Sequence, residues 1–117
     1  MMIVLVCGGR AFKDWMIVAR TLNMLHAQRG FTKLIHGGAT GADTLGARWA
    51  EIHAIPKQVF YARWDRDGKA AGFLRNKRML EEGKPQIVVA FPGGNGTANM
   101  MQLARDAGVE VIEVRLS

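Results

Sequence analysis

Short apolar segments alternate with amphipathic segments along the whole chain. The first segment, MIVLVC, is a continuous apolar run that ends at a glycine pair, which is typical of a strand buried on both faces of a sheet. Four further runs, KLIH, KQVFYA, QIVVAF and VEVIEV, predict four more strands. Because amphipathic segments separate these runs, the pattern predicts right-handed crossovers between parallel strands.

The amphipathic segments predict helices. From Asp14 to about Arg29 apolar residues recur at helical spacing, and Gly30 follows as a stop signal. Further helices are predicted over 42–54 and 97–107, and RNKRM is placed on a short helix. The apolar stripes consist of Trp15, Val18, Ala19, Leu22 and Leu25, then Leu45, Trp49 and Ile52, and finally Met100, Leu103, Ala104 and Ala107. We therefore predict a doubly wound α/β domain with a mainly parallel five-stranded sheet and helices on both faces.

The composition is typical of one globular domain. With 117 residues, of which 49% are hydrophobic and 22% charged, residues 1–117 are predicted to form a single domain with a packed core. The N-terminal apolar run is too short to span a bilayer and lacks signal-peptide features, so no membrane association is expected. One cysteine, Cys7, cannot form an internal disulfide, which favours the cytoplasm. The formal net charge of +6 favours anionic partners without identifying one.

Three of the five predicted strands end in glycine pairs. The loops read CGGR, HGGATGAD and FPGGNGT, and all three are expected at the carboxyl edge of the sheet, where doubly wound domains bind ligands. Glycine lets backbone N–H groups approach a ligand, and a following helix N-terminus favours anions. The loops therefore predict a phosphate-binding site. Since neither the GxGxxG fingerprint nor the Walker GK[ST] pattern is present, an NAD dehydrogenase or a P-loop NTPase is not expected.

Three longer motifs occur in the order GGATGAD, ARWDRDGKAAGFLRNKRM and AFPGGNGTAN. Together they extend over nearly the whole chain and resemble the YspA/YpsA-related branch of the SLOG superfamily. That superfamily also includes the LOG-type phosphoribohydrolases and the core of the DNA-processing protein DprA. The resemblance implies a Rossmann-like fold that binds a nucleotide or nucleotide-derived ligand across the glycine loops, and it is compatible with a sensor role. Together with the many methionine and tryptophan residues, it also implies a homo-oligomer.

The last glycine loop departs from the LOG pattern. LOG enzymes carry acidic residues two and three positions after the threonine of this loop, where this chain has Asn99 and Met100. A carboxylate stabilises the positive charge that develops on a ribosyl carbon when an N-glycosidic bond breaks, and asparagine carries no charge. We therefore expect the loop to bind a ligand, and the two replacements argue against LOG-like hydrolysis.

Candidate site residues follow the ends of the predicted strands. Arg10 either clamps a phosphate, the favoured interpretation, or is a solvated arginine on a turn. Trp64 either stacks on a base or packs its own loop. Asp43, the candidate catalytic residue, either complements the helix N-terminus, holds ribose hydroxyls or acts as a base. The resemblance places Arg75 and Asn76 near the ligand. The complete candidate set is Gly8, Gly9, Arg10, Gly37, Gly38, Thr40, Gly41, Asp43, Trp64, Arg75, Asn76, Pro92, Gly93, Gly94, Asn95, Gly96 and Thr97.

Two functions from other classes stay open. One is an enzyme that cleaves a nucleotide or an ADP-ribose-like compound, with Asp43 or another carboxylate in place of the missing acids. The other is a DprA-type nucleic-acid module, which is favoured by the net charge and by the run RWDRDGKAAGFLRNKR. No metal site is predicted, because the three histidines share no ligand spacing and one cysteine completes no zinc set. The only cofactor-like molecule expected is the nucleotide-type ligand itself.

Overall fold

The computed structural model describes residues 2–116, in which strands and helices alternate. The strands are β1 (Met2–Cys7), β2 (Phe31–His36), β3 (Lys57–Val59), β4 (Ile87–Ala90) and β5 (Glu110–Glu113). The helices are α1 (Trp15–Arg29), α2 (Ala42–Ile52), α3 (Trp64–Asp67), α4 (Ala71–Gly83) and α5 (Asn95–Asp106). A single 3-10 turn, Gly68–Ala70, joins α3 to α4.

The five strands form one parallel sheet in the order β3-β2-β1-β4-β5. The chain builds the sheet outward from β1 to β3 and then returns to place β4 on the other side of β1. In the register of the two central strands, Val6 lies opposite Val89 and Cys7 lies opposite Ala90. The strand order therefore reverses between β1 and β4, which is where doubly wound domains leave a crevice for ligands.

Helices cover both faces of the sheet, so the predicted doubly wound α/β fold is confirmed. Alternate residues of β1 point to opposite faces, with Val4 and Val6 on one side and Leu5 and Cys7 on the other. The first side packs against the buried stripes of α1 and α2, and the second packs against those of α4 and α5. The helix residues in these two cores include Val18, Leu22, Leu25, Trp49 and Ala50 on the first side, and Met79, Met100 and Ala104 on the second.

The ends of α1 follow local sequence signals. The Asp14 carboxylate accepts a hydrogen bond from the Ile17 backbone N–H at 3.1 Å and so caps the helix N-terminus. At the other end, the Gly30 N–H donates to the carbonyl of His26 at 2.9 Å. The predicted start after Asp14 and the predicted stop at Gly30 are both confirmed.

Other boundaries differ from the predictions. β2 begins two residues before KLIH, and β3 ends at Val59 because the chain then leaves the sheet edge toward α3. The predicted apolar face of α2 is wrong at Ile52, which is exposed at the last residue of the helix, past the part that covers the sheet. Ala107 is likewise exposed, because α5 ends one residue earlier.

Across the described range 2–116, none of the helices is both long and apolar enough to cross a membrane.

Candidate ligand-binding site

A cleft of about 380 Å³ opens at the carboxyl edge of the sheet, where the strand order reverses between β1 and β4. We call it the main cleft; its walls come from the loop after β1, the start of α2, the α3–α4 segment and the first turn of α5. The predicted site residues that line it are Gly8, Gly9, Arg10, Asp43, Trp64, Arg75, Gly94, Asn95, Gly96 and Thr97. The fold thus brings residues from three separate glycine loops and from α4 to one cavity.

The first turn of α5 forms one wall of the main cleft. Gly94 occupies the N-cap position and supplies no side-chain cap, so the backbone N–H groups of the first turn lack intrahelical partners. A Cβ atom added to Gly94 or Gly96 would meet no atom within 4 Å, which shows open space in front of both glycines. The positive end of the helix dipole and its free donors therefore face an accessible cavity.

Other glycines allow the loops to pack closely. The Gly9 N–H donates to the carbonyl of Pro92 at 2.8 Å, and a Cβ on Gly93 would lie 2.7 Å from the Gly9 nitrogen. Gly41 has φ 78°, and its Cβ would overlap the carbonyl of Gly9. Pro92, Gly93 and Gly41 therefore build the junction between the loops. None of the three lines the main cleft, and Pro92 and Gly93 line a separate cavity beside the end of β5.

Asp43 places a buried carboxylate in the main cleft. Its side chain is only 5% exposed, and Oδ2 accepts hydrogen bonds from the N–H groups of Gly37 at 2.8 Å and Ala39 at 3.3 Å. Burial raises the pKa of Asp43 to about 6, although these hydrogen bonds and the nearby guanidinium groups of Arg75 and Arg10 act in the opposite direction.

The second carboxylate oxygen of Asp43 is an unused hydrogen-bond acceptor. Oδ1 accepts no hydrogen bond from residues 2–116. It is also not sealed from solvent, since every fully buried side-chain nitrogen or oxygen in the described chain has a partner. The residue therefore holds the loop after β2 with one oxygen and offers the other to the cleft, where a ligand hydroxyl or water can donate to it.

A hydrogen-bonded chain of side chains links α4 to both neighbouring loops. The Arg75 guanidinium donates to the carbonyl of Gly37 and, at 3.0 Å, to Asn76 Oδ1. Asn76 Nδ2 in turn donates to the carbonyl of Gly96 and to Asn99 Oδ1, each at 3.0 Å. Burial lowers the pKa of Arg75, an effect that the charge of Asp43 opposes. Asn76 is 3% exposed and lies behind the cleft, so its contact is with the α5 turn and not with the cavity.

Arg10 and Trp64 form a stack at the mouth of the main cleft. The Arg10 guanidinium carbon lies 5.4 Å from the centroid of the Trp64 indole, within the range of a cation–π contact. Trp64 remains 50% exposed, and its ring edge lies near Gly72. The tryptophan therefore packs against its own segment and keeps exposed surface beside the cavity, so that stacking on a base stays a prediction.

A second cavity of about 310 Å³ adjoins the main cleft, between the loops that follow β2 and β3. We call it the side compartment; it contains the remaining predicted residues Gly37, Gly38 and Thr40, together with Tyr61 and Ala62. The Thr40 hydroxyl donates to the carbonyl of Arg10 at 3.2 Å and so joins the loop after β2 to the loop after β1.

His36 supports the floor of the second loop. Its Nδ1 accepts a hydrogen bond from the Gly38 N–H at 3.1 Å, and the residue is buried at the end of β2. Burial lowers the pKa of His36, and the positive charges of Lys57 and Arg75 lower it further. Because the imidazole accepts a hydrogen bond from the backbone, His36 has a structural role.

Sequence reasoning missed several residues of the site. Phe73 and Lys69 line the main cleft, Cys7 lies at its floor as a buried thiol whose pKa is raised by burial, and Tyr61 lines the side compartment. Phe73 lies off the buried stripe of α4 and is 48% exposed, which only the folded helix shows. The sequence predicts Tyr61 as part of the third strand. In the structure β3 ends before it, and Tyr61 lines the side compartment.

Two basic residues of the RNKRM segment lie outside both cavities. Lys77 is exposed and pairs with Glu81, one turn along α4, at 3.9 Å. Arg78 donates to the carbonyl of Tyr61 at 2.6 Å and so ties the loop after β3 to the helix. Within RNKRM, Arg75 therefore lines the main cleft, Arg78 supports the loop after β3, and Lys77 lies on the surface.

Comparison with known proteins identifies the family of this chain. A model of the YspA, cpYpsA-related SLOG family matches residues 2–66. The Gene 61 protein of Mycobacterium phage D29 is 38% identical over 117 aligned residues, which cover 93% of each chain. The crystal structure of UDP-GlcNAc 2-epimerase from Neisseria meningitidis bound to UDP-GlcNAc superposes with a TM-score of 0.61 at 15% identity. The superposition covers 97% of this chain but about a third of the epimerase (32%), and at this identity it shows a shared Rossmann-like fold alone. Together, the family match and the phage relative show that the chain belongs to the YspA, cpYpsA-related SLOG family.

Proposed function

We propose that this chain binds a nucleotide or nucleotide-derived ligand in the main cleft, with a phosphate at the N-terminus of α5. The observation that carries the proposal is the convergence of three groups at the strand-order reversal. The uncapped first turn of α5 faces open space, the guanidinium groups of Arg10 and Arg75 line the same cavity, and Asp43 offers an unpartnered oxygen. Free backbone donors and guanidinium groups bind phosphate, while a carboxylate accepts hydrogen bonds from ribose hydroxyls.

The charges around the main cleft support an anionic ligand. Arg10, Lys69 and Arg75 contribute three cationic side chains to its lining, against the single carboxylate of Asp43. Burial raises the pKa of that carboxyl group to about 6, which weakens its opposition to an anion at mildly acidic pH. A cavity with an excess of cationic side chains in its lining concentrates anionic ligands.

Membership of the SLOG family and the Rossmann-like fold are consistent with nucleotide-related binding. We further infer that residues 1–117 act as one domain in the cytoplasm and that bound nucleotide is sensed by a partner protein. We also infer a homo-oligomer, for which the exposed side chains of Met16 and Met24 on α1 offer apolar contact surface. Light scattering of the purified chain tests the last inference, because a monomer at micromolar concentration would contradict it.

A thermal-shift screen tests the binding proposal. The purified chain is heated with AMP, NAD, ADP-ribose, inorganic phosphate or a short single-stranded DNA. A ligand at a hundred times its dissociation constant stabilises the folded state by about 2.7 kcal/mol, which raises the melting temperature by roughly ten degrees in a domain of this size. A rise with at least one nucleotide is expected. No rise with any nucleotide, or a rise with DNA alone that is lost at high salt, would contradict the proposal and in the second case favour a nucleic-acid module.

Hydrolysis of an N-glycosidic bond is the second candidate function, and Asp43 is the observation that favours it. A carboxylate with one free oxygen and a pKa of about 6 can accept a proton from an attacking water near neutral pH. The water would add to the ribosyl carbon as the bond to the base breaks, and the base would leave with a proton. Release of free base from the nucleotide found in the screen, lost in Asp43→Asn, is the expected result for an enzyme. Intact nucleotide after prolonged incubation leaves binding alone.

A further inference from the structure

We propose that the ligand of this site has two ring-bearing parts joined by a diphosphate, the chemistry of a dinucleotide, and that it extends from the main cleft into the side compartment. This inference rests on the proposed nucleotide binding and names its ligand class. It assigns the side compartment, which the phosphate site at α5 does not use, to the second half of the ligand.

The two cavities share a wall that carries both guanidinium groups. Arg10, Ala39, Trp64 and Arg75 line the main cleft and the side compartment alike. Arg75 is held by its hydrogen bonds to the carbonyl of Gly37 and to Asn76, and Arg10 is stacked on Trp64. A guanidinium group can donate to two phosphate oxygens at once. Two such groups held between two cavities therefore match a ligand whose negative charge lies in its middle.

Each cavity also has an exposed aromatic wall. Phe73 is 48% exposed beside the main cleft, and Tyr61 is 67% exposed beside the side compartment. The Tyr61 ring lies directly over Gly38, where a Cβ atom would come within 2.6 Å of two ring carbons. Aromatic rings left uncovered in this way are surfaces on which a base stacks. Aromatic surface on both sides of a cationic wall therefore fits two rings with a diphosphate between them.

The sizes of the cavities agree with a two-part ligand. The main cleft and the side compartment measure about 380 and 310 Å³, each near the lower end of the range for small-molecule sites. Joined across their common wall, they fall in the middle of that range. Polar groups of the side compartment include the Thr40 hydroxyl and the backbone of Gly38, which can hydrogen-bond a second sugar.

Calorimetric titration of the full chain with AMP, ADP and NAD tests the inference. ADP supplies one ring and two phosphates, and NAD adds the second ring-bearing half to the same diphosphate. We expect NAD to bind at least tenfold more tightly than ADP. Equal dissociation constants for ADP and NAD would overturn the two-part ligand while leaving nucleotide binding intact. Absence of binding by all three would overturn the proposed function, and this inference with it.

A pair of variants tests whether the tighter binding of NAD depends on the side compartment. Tyr61→Ala is expected to weaken NAD binding at least tenfold and to reduce the ratio between the ADP and NAD dissociation constants to about one. Ile52→Ala removes a similarly exposed apolar side chain outside both cavities and is expected to keep the ratio of the unmodified chain. An unchanged ratio in Tyr61→Ala would contradict the assignment of the side compartment. Because the comparison of ADP with NAD on the unmodified chain needs no variant, the inference stays falsifiable if Tyr61→Ala does not fold.

Discussion

Asn76 on α4 donates a hydrogen bond from Nδ2 to Asn99 Oδ1 on α5 at 3.0 Å, while the same nitrogen donates to the carbonyl of Gly96. The asparagine at position 99, which stands where LOG enzymes carry an acid, is therefore engaged in bracing the first turn of α5. The turn that the proposed ligand phosphate contacts is thus fixed from behind by a buried amide.

Replacing Asn76 tests this brace. Asn76→Ala is expected to lower the free energy of unfolding by about 1–3 kcal/mol, because buried polar partners lose their hydrogen bonds. It is also expected to weaken nucleotide binding, since the first turn of α5 loses its support. Asn99→Ala removes only one of the two bonds from Nδ2 and is expected to have the smaller effect on both. Urea unfolding and calorimetry measure the two quantities, and equal effects of the two variants would contradict the role of the Gly96 bond.

Filling the open space before α5 tests the phosphate position. Gly94→Val and Gly96→Val each place a side chain where no atom now lies within 4 Å, so the fold is expected to survive while nucleotide binding is abolished. Ala98→Val is the matched control, because Ala98 is exposed on the same helix and lies outside the main cleft. Thermal shift with AMP or NAD measures the outcome. Retained affinity in both glycine variants would remove the α5 turn from the site.

Arg75 tests the contribution of a guanidinium group. Arg75→Ala is expected to weaken binding of a phosphate-bearing ligand by at least about 1 kcal/mol, the scale of a charge-assisted hydrogen bond. Arg75→Lys is expected to recover part of the loss, because lysine restores the charge but not the fork of donors. Lys77→Ala changes an exposed lysine two residues away and serves as the control for net charge. Equal affinity in Arg75→Ala and the unmodified chain would make Arg75 purely structural.

Asp43 predicts a component of stability that depends on pH. Burial raises its pKa from 3.8 to about 6, so between these values the folded chain holds a proton that the unfolded chain has lost. The free energy of unfolding therefore contains a part that falls as pH rises from about 4 to about 6, by about 3 kcal/mol in total, and is constant above. Asp43→Asn keeps an oxygen that accepts from Gly37 and Ala39 but cannot ionise. Denaturant unfolding at pH 4 and pH 8 is expected to show this fall in the unmodified chain and not in the variant; parallel pH profiles would contradict it.

The same carboxyl group predicts a pH dependence of binding. A diphosphate placed in the cleft repels the charged form of Asp43, whereas a protonated carboxyl group still has an oxygen that accepts a hydrogen bond from a ribose hydroxyl. The affinity for NAD is therefore expected to decrease as pH rises through about 6. NAD is the suitable probe because phosphate monoesters such as AMP themselves titrate near pH 6. Calorimetry at pH 5 and pH 8 measures the effect, and a matching decrease in Asp43→Asn would assign it to another group.

Much of the fold was readable from local patterns. The run MIVLVC with its glycine pair indicated a strand buried on both faces, and the spacing between Asp14 and Gly30 indicated α1 with both of its ends. Those features depend on neighbouring residues, whose side-chain period and turn chemistry act within a few positions of the chain. Boundaries at the sheet edge were less accurate, since β3 ends where it runs out of a pairing partner and not where its apolar run ends.

Local patterns along the chain therefore predict the alternation of strands and helices, the position of the glycine loops after three strands, and the family. Which glycines face a cavity depends on how the folded elements pack together. Gly94 and Gly96 face the cleft, whereas Gly41 and Gly93 pack closely against the backbone of the loop after β1. The contact between Gly9 and Pro92, for example, exists because β1 lies beside β4. This strand order is set by the packing of the whole sheet between its two helix layers, and no short segment of the chain encodes it.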